Sequence, residues 1–253
     1  MSETAAIESA ARARAWHHGR QARICDVADP WAHGTVLRAT RFRDYWDYNV
    51  VRVEDKPGME VGELIAVADE ALDGYAHRRV DFDVIAAGEA RRSEFEALGW
   101  RTLRLLYMRH EVQPPPADGL AVEEVAYDLV NDLRLAWHEE DFPDQDSGAY
   151  HEQAREVAMS RDARVFVARD DGRTIGFAQL ECESGSAEIT QVFVDPEHRG
   201  AGLGTAITRA LIDAAGPVDD LWISADDEDR PKALYARLGF RPAWLSMELT
   251  RLP

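Results

Sequence analysis

Three glycines at alternate positions follow an arginine in Arg199-Gly200-Ala201-Gly202-Leu203-Gly204-Thr205. Glycine takes left-handed backbone conformations at little cost and lets a ligand come close to the chain. Successive backbone N–H groups can then point into one concavity, and a helix that starts there adds the positive end of its dipole. The chemistry such a loop supports is the holding of a phosphate or pyrophosphate. The spacing matches neither the Gly-x-Gly-x-x-Gly dinucleotide fingerprint nor a Walker loop, because no Gly-Lys-Ser/Thr follows.

The loop needs a strand before it and a helix after it. Residues 189–194 are rich in β-branched and aromatic side chains, and Pro196 ends the run. From Thr205, apolar residues recur at Ile207, Leu211 and Ile212, which predicts a helix. Upstream, the pattern gives a strand over 120–127 and a helix capped by Asp128 that reaches Glu140. An acidic loop over 141–148, a helix over 150–161 and a hairpin of strands 164–169 and 174–183 follow. Downstream come a strand over 221–225, a helix over 231–238 with Asp229 as its cap, and a last strand to Leu249.

The order β-α-α-β-β-β-α-β-α-β over 120–253, with Val192-Phe193-Val194-Asp195-Pro196 running into the glycine loop, resembles the GNAT superfamily of N-acyltransferases. The signature of that family is Arg/Gln-x-x-Gly-x-Gly/Ala. The resemblance implies acetyl-coenzyme A as cofactor, its pyrophosphate held by Arg199, Gly200, Ala201, Gly202, Leu203, Gly204 and Thr205. It also implies that the backbone of Val192, Phe193 and Val194 runs along the pantetheine arm, on a splayed strand where an amide polarises the thioester carbonyl. Glu188 takes the place of the general base, acting directly or through water, with Glu181 and Glu183 as competitors and a solvent-facing edge glutamate as the alternative. Tyr235 takes the place of the general acid toward the departing sulfur. Glu228 stands where many relatives carry an asparagine seven residues before that tyrosine.

In the first half, the pattern predicts a helix over 2–20, with His17 and His18 at its solvated end. Strands over 22–27 and 35–40 flank a turn at Asp29-Pro30, and His33 has no visible partner. An aromatic patch, Tyr45-Trp46-Asp47-Tyr48, reads as core. A strand over 49–53, a helix over 61–74, a strand over 80–85, a helix over 86–98 ended by Gly99, and a strand over 101–112 follow. Phe95-Glu96-Ala97-Leu98-Gly99-Trp100-Arg101 aligns with Tyr235-Ala236-Arg237-Leu238-Gly239-Phe240-Arg241, which points to duplication. After Val53, however, the chain reads Glu-Asp-Lys-Pro-Gly-Met-Glu-Val-Gly, where acidic residues would repel phosphate, and Phe95 lacks the hydroxyl of Tyr235. The expected fold class is therefore α/β with a mixed sheet: two GNAT-like domains in tandem, each a mostly antiparallel sheet flanked by helices. Residues 1–113 form a degenerate domain without the acetyl-coenzyme A loop, 114–119 a proline-rich linker, and 120–253 the catalytic domain.

The formal net charge is −18. Residues 1–120 carry 20 acidic against 16 basic side chains, and 121–253 carry 27 against 13. So acidic a surface disfavours nucleic acid and anionic membrane as partners; it either attracts a cationic amine or simply maintains solubility, and the acceptor that the family resemblance implies is a small-molecule or peptide amine. The family resemblance places the start of the acceptor site at the acidic loop over 139–146, with a merely solvated loop as the alternative. Cys25 and Cys182 form no metal-ligand pattern and read as small buried residues, so no metal is expected. Without a signal-like or membrane-length apolar run, the expected location is the cytoplasm. A non-catalytic acyl-coenzyme A sensor or regulatory module is the alternative function. The sequence leaves the oligomeric state open.

Overall fold

The computed structural model describes residues 3–114 and 120–253, which divide into two compact units. The first unit takes the described residues of Met1–Leu106 with Asp226–Glu228 and Ala243–Pro253. The second takes those of Tyr107–Ala225 with Asp229–Pro242. The units are thus not contiguous in sequence, and the chain's last residues return to the first. Of the linker expected over 114–119, residues 115–119 lie outside the described residues.

In the first unit the elements are α1 (Glu3–Ile24), β1 (Val27–Trp31), β2 (Gly34–Arg38), β3 (Val50–Val53), α2 (Val61–Ala71), β4 (Arg78–Phe82), α3 (Ile85–Glu89), α4 (Arg92–Ala97) and the first part of β5 (Arg101–His110). β1, β2 and β3 are antiparallel neighbours, and β3 pairs parallel with β4. Residues 247–251 of the final strand pair antiparallel with β4, from Met247↔Phe82 to Arg251↔Arg78. Val51, Val53, Val80, Phe82 and Leu249 meet Leu64 and Phe95 in one core.

Several local expectations change here. Residues 22–24 are helical: the Ala- and Arg-rich run carries the helix through Gly19 to Ile24, and β1 starts only at Val27. Asp29-Pro30 lies inside β1, an edge strand, where proline's missing donor costs no ladder bond. The hairpin turns through Ala32 and His33 instead, and β2 opens at Gly34, where a Cβ would meet the Arg52 carbonyl oxygen at 2.2 Å. His33 pairs with Asp55 at 3.0 Å. His17 and His18 are not solvated: His18 Nε2 meets an Asp83 oxygen at 2.9 Å, and His17 packs on Trp244 at 5.6 Å. The helix over 86–98 is split in two, and Arg91 at the break donates to the carbonyls of Pro57, Met59 and Ala87. Cys25 is half-buried and Cys182 is exposed.

The second unit continues with β6 (Val122–Val125), α5 (Asn131–Asp141), α6 (Gly148–Ser160), β7 (Arg164–Asp170), β8 (Arg173–Glu183), β9 (Ser186–Val194), α7 (Leu203–Ala215), β10 (Asp220–Asp226), α8 (Pro231–Arg237) and the start of β11 (Phe240–Arg251). β6 to β9 form an antiparallel run, and β9 pairs parallel with β10. Val165, Val167 and Phe177 pack with Leu133, Trp137 and Ala158 of α5 and α6. Alternation sends Gly176 to the opposite face, where its Cα lies against Ile207 of α7. A 3₁₀ turn, Tyr127–Val130, precedes α5, so Asp128 is not its cap and instead holds Arg155 at 2.6 Å. Likewise α8 starts behind Arg230, whose N–H is accepted by the Asp229 carboxylate. No helix among the described residues is long and apolar enough to cross a membrane.

Candidate active site

β8 and β9 pair regularly from Glu183↔Ser186 through Glu181↔Glu188 to Gln179↔Thr190, and then resume at Phe177↔Phe193. Gln191 and Val192 therefore oppose the single residue Ala178, which makes a β-bulge. Gln191 has φ +53°, inside a strand. The extra residue shifts the side-chain phase by one. As a result Glu188, Thr190 and then Phe193 share the face of Glu181, Gln179 and Phe177, beneath α5 and α6. Trp137 of α5 stacks on Phe193 at 5.5 Å. On the other side, the parallel register of β9 and β10 runs from Ser186↔Asp220 to Ile189↔Ile223. β9 continues five residues further, so the two strands separate where Val192, Phe193 and Val194 stand.

The chain after Val194 is shaped by Asp195, whose carboxylate accepts from Glu197 N at 3.0 Å and caps the turn Pro196–His198. Arg199 donates through Nε to the Val194 carbonyl at 3.0 Å and clasps the Glu140 carboxylate through both terminal nitrogens at 2.8 and 2.7 Å. That guanidinium holds the Glu140 carboxyl below the usual carboxylate range. Arg199 thus ties the strand end to α5, a structural part in shaping the loop. Gly200 and Gly202 both sit at φ +84°, a conformation that penalises any side chain. Gly202 is the N-cap of α7 and offers no side-chain cap. The first-turn N–H groups at Leu203, Gly204 and Thr205 are the donors that an α-helix leaves without intrahelical acceptors. With the helix dipole behind them, they fit a pyrophosphate.

Glu188 is fully buried, opposite Glu181 on β8 and Trp222 on β10. Glu181 is bound to Arg161 at 2.7 Å, and Glu183 stands at the hairpin end opposite Ser186. Tyr235 is buried on α8 with its ring 6.3 Å from Phe240. Burial raises its phenol well above the ordinary range, and nearby Asp229 adds to the shift. Sequence reasoning missed Arg134, a buried residue of α5 that donates to Gln191 and, at 2.7 Å, to Gln179. It also missed His138, one turn on, which packs against Tyr150 and His151 at 5.1 and 5.4 Å. Burial lowers the affinity of both histidines for a proton. No local signal singled out Arg134, since Gln191, which it meets, is one polar residue among Ser186, Glu188 and Thr190 of the same strand.

The first unit treats its corresponding junction differently. β3 and β4 stay paired to Val53↔Phe82, and Asp83 N still bonds the Val53 carbonyl at 2.9 Å. The N-terminus of α2 is closed by a reciprocal capping box, with Glu60 on the N3 amide and Glu63 accepting from Glu60 N at 2.8 Å. Phe95 is fully buried with its ring 5.0 Å from Trp100. Glu228 lies in this unit and clasps Arg92 at 2.7 and 2.6 Å.

Residues 161–242 match the family model described as an acetyltransferase (GNAT) domain. Glucosamine 6-phosphate N-acetyltransferase of Trypanosoma brucei brucei is 32% identical over 133 residues, covering 48% of this chain and 88% of that protein. Mycothiol acetyltransferase of Clavibacter michiganensis subsp. michiganensis is 40% identical over 94 residues, covering 35% of this chain. The chain spans only 30% of the length of that relative. In fold, the chain is similar to a tandem GNAT protein from the clavulanic acid biosynthesis pathway, with a TM-score of 0.50 and 18% identity over 80% of this chain and 75% of that one.

Proposed function

The chain belongs to the GNAT acetyltransferase family, and from that premise we propose that its second unit moves an acetyl group from acetyl-coenzyme A to a primary amine by direct attack. One observation carries this reading: an uncapped, glycine-lined helix N-terminus stands beside a bulged strand that parts from its neighbour. The amides of Leu203, Gly204 and Thr205 hold the pyrophosphate, with Arg199, Gly200, Ala201 and Gly202 shaping the loop. When bound, the cofactor supplies the activated thioester carbonyl. Backbone groups of Val192, Phe193 and Val194, left outside the β10 ladder, bind the pantetheine arm, and an amide at the bulge polarises that carbonyl. Glu188 lies on the face beneath α5 and α6 and takes the proton released by the amine, directly or through water. Tyr235 returns a proton to the departing sulfur.

The acceptor is a small-molecule or peptide amine; the named relatives act on small molecules. The first unit is a degenerate partner in the tandem. Its helix N-terminus is filled by its own glutamates and its strands do not part, so it binds no cofactor. Thiol release from acetyl-coenzyme A across an amine panel tests the activity. Turnover on at least one amine is expected; tight binding with no turnover on any amine would favour an acyl-coenzyme A sensor. Calorimetry should give one cofactor site per chain, and two equivalent sites would overturn the assignment of the first unit.

A further inference from the structure

We propose that Arg134 is a positioning residue for acyl transfer, holding Gln191 in the left-handed conformation that creates the bulge. The inference rests on the acetyl-transfer reading above. Among the described residues, the non-glycine residues at positive φ are Asp162, Asp171, Ser184 and Gln191. The first three lie in turns, where short polar side chains bond locally to the backbone. Gln191 alone lies inside a strand. Its longer side chain has no such local compensation, so tertiary contacts must impose the conformation.

Arg134 supplies them. Its terminal nitrogens reach the side-chain oxygens of Gln191 on β9 and Gln179 on β8, so one guanidinium spans both strands at the register break. The guanidinium is itself fixed, 4.1 Å from the centre of the Tyr127 ring and 4.7 Å from that of Phe177. A planar fork can bond two oxygens while lying against aromatic faces, which a lysine ammonium cannot do. Without the clamp, β9 is free to return to regular register. A one-residue slip reverses the facing of every residue from Gln191 to Val194. Phe193 would then leave Trp137 and Phe177, and the amides that meet the acyl group would turn away. A helix 57 residues upstream in sequence thus sets the register of the strand that binds the acyl end.

Arg134→Lys keeps the positive charge and most of the buried stem but cannot bridge. It should lower kcat about tenfold or more, the scale of loss from small misplacement of a reacting group, and raise the cofactor KM with it, because the slip also turns the pantetheine-binding backbone over 192–194. In a Gln191→Gly background, where the backbone takes positive φ unaided, the same substitution should cost threefold or less. Equal losses in both backgrounds, or unchanged kcat, would overturn the proposal. A crystal structure of the Arg134→Lys protein gives a readout independent of turnover. Loss of the Phe177↔Phe193 register supports the clamp, and a retained bulge with Gln191 at positive φ refutes it. If no amine is acetylated by the unaltered protein, the catalytic reading fails while the clamp stands or falls on this structure.

Discussion

Tyr235 and Phe95 show how one position in a repeated helix-to-strand joint can serve two ends. Both follow the same backbone course. Leu98 N and Leu238 N each bond the aromatic residue's carbonyl at 3.0 Å, and Gly99 and Gly239 take φ of +81° and +96°. Phe95 has no hydroxyl to satisfy and packs on Trp100. Tyr235 carries a hydroxyl into a site that raises its proton affinity. With Tyr235 as the acid toward the departing sulfur, Tyr235→Phe should lower kcat by roughly 10²-fold, the usual worth of a placed acid, with acetyl-coenzyme A affinity nearly unchanged. Single-turnover kinetics against equilibrium binding separates the two effects. Unchanged turnover would remove Tyr235 from the chemistry.

At the scale of elements, the comparison that matters is between two helix N-termini. α7 begins behind an uncapped glycine, whereas α2 begins behind Glu60 and Glu63, which satisfy its terminal donors. Glu60→Ala should lower stability by about 1 kcal/mol, as loss of a cap does, and leave acetyl-coenzyme A affinity unaltered. Denaturant unfolding and calorimetry on the same protein check both halves. The difference was legible beforehand, because glycine spacing and acidic caps are local signals that need no tertiary context. The bulge was legible only as an expectation borrowed from the family. Nothing in residues 186–194 states that Gln191 turns left-handed; that depends on Arg134 and Gln179, on two other elements. Asp128 was misread for the same reason, since a 3₁₀ turn and Arg155 compete for a residue that looks like a cap.

Across the whole molecule, buried charge is unevenly used. In the first unit, Arg79 meets Asp47, Asp81 and Glu248 at 2.6, 2.9 and 2.8 Å. Asp81 is buried and Glu248 largely buried with the guanidinium while Asp47 is half exposed, and carboxylates so close together do not all ionise easily. Burial, with Asp81 and Asp47 beside it, pushes Glu248 up to about 8 against the pull of Arg79. A carboxyl that binds its proton more tightly when folded adds stability below the ordinary carboxylate range and loses it as pH rises through the folded value. The unfolding midpoint of this unit should fall between pH 5 and 9, and Glu248→Gln should flatten that slope. Denaturant melts across this range decide it; an unchanged slope in the variant would exclude Glu248 as its source.

The return of Ala243–Pro253 to the first unit has a bearing on how the protein is made. β4 emerges from the ribosome long before residues 247–251, which pair with it. During synthesis Arg78–Phe82 therefore waits with one side of its backbone unmatched while the whole second unit is translated. An open strand of this kind is a target for wrong partners. The first unit is finished last, and a fragment cut after the proline stretch would take away the strand that completes it.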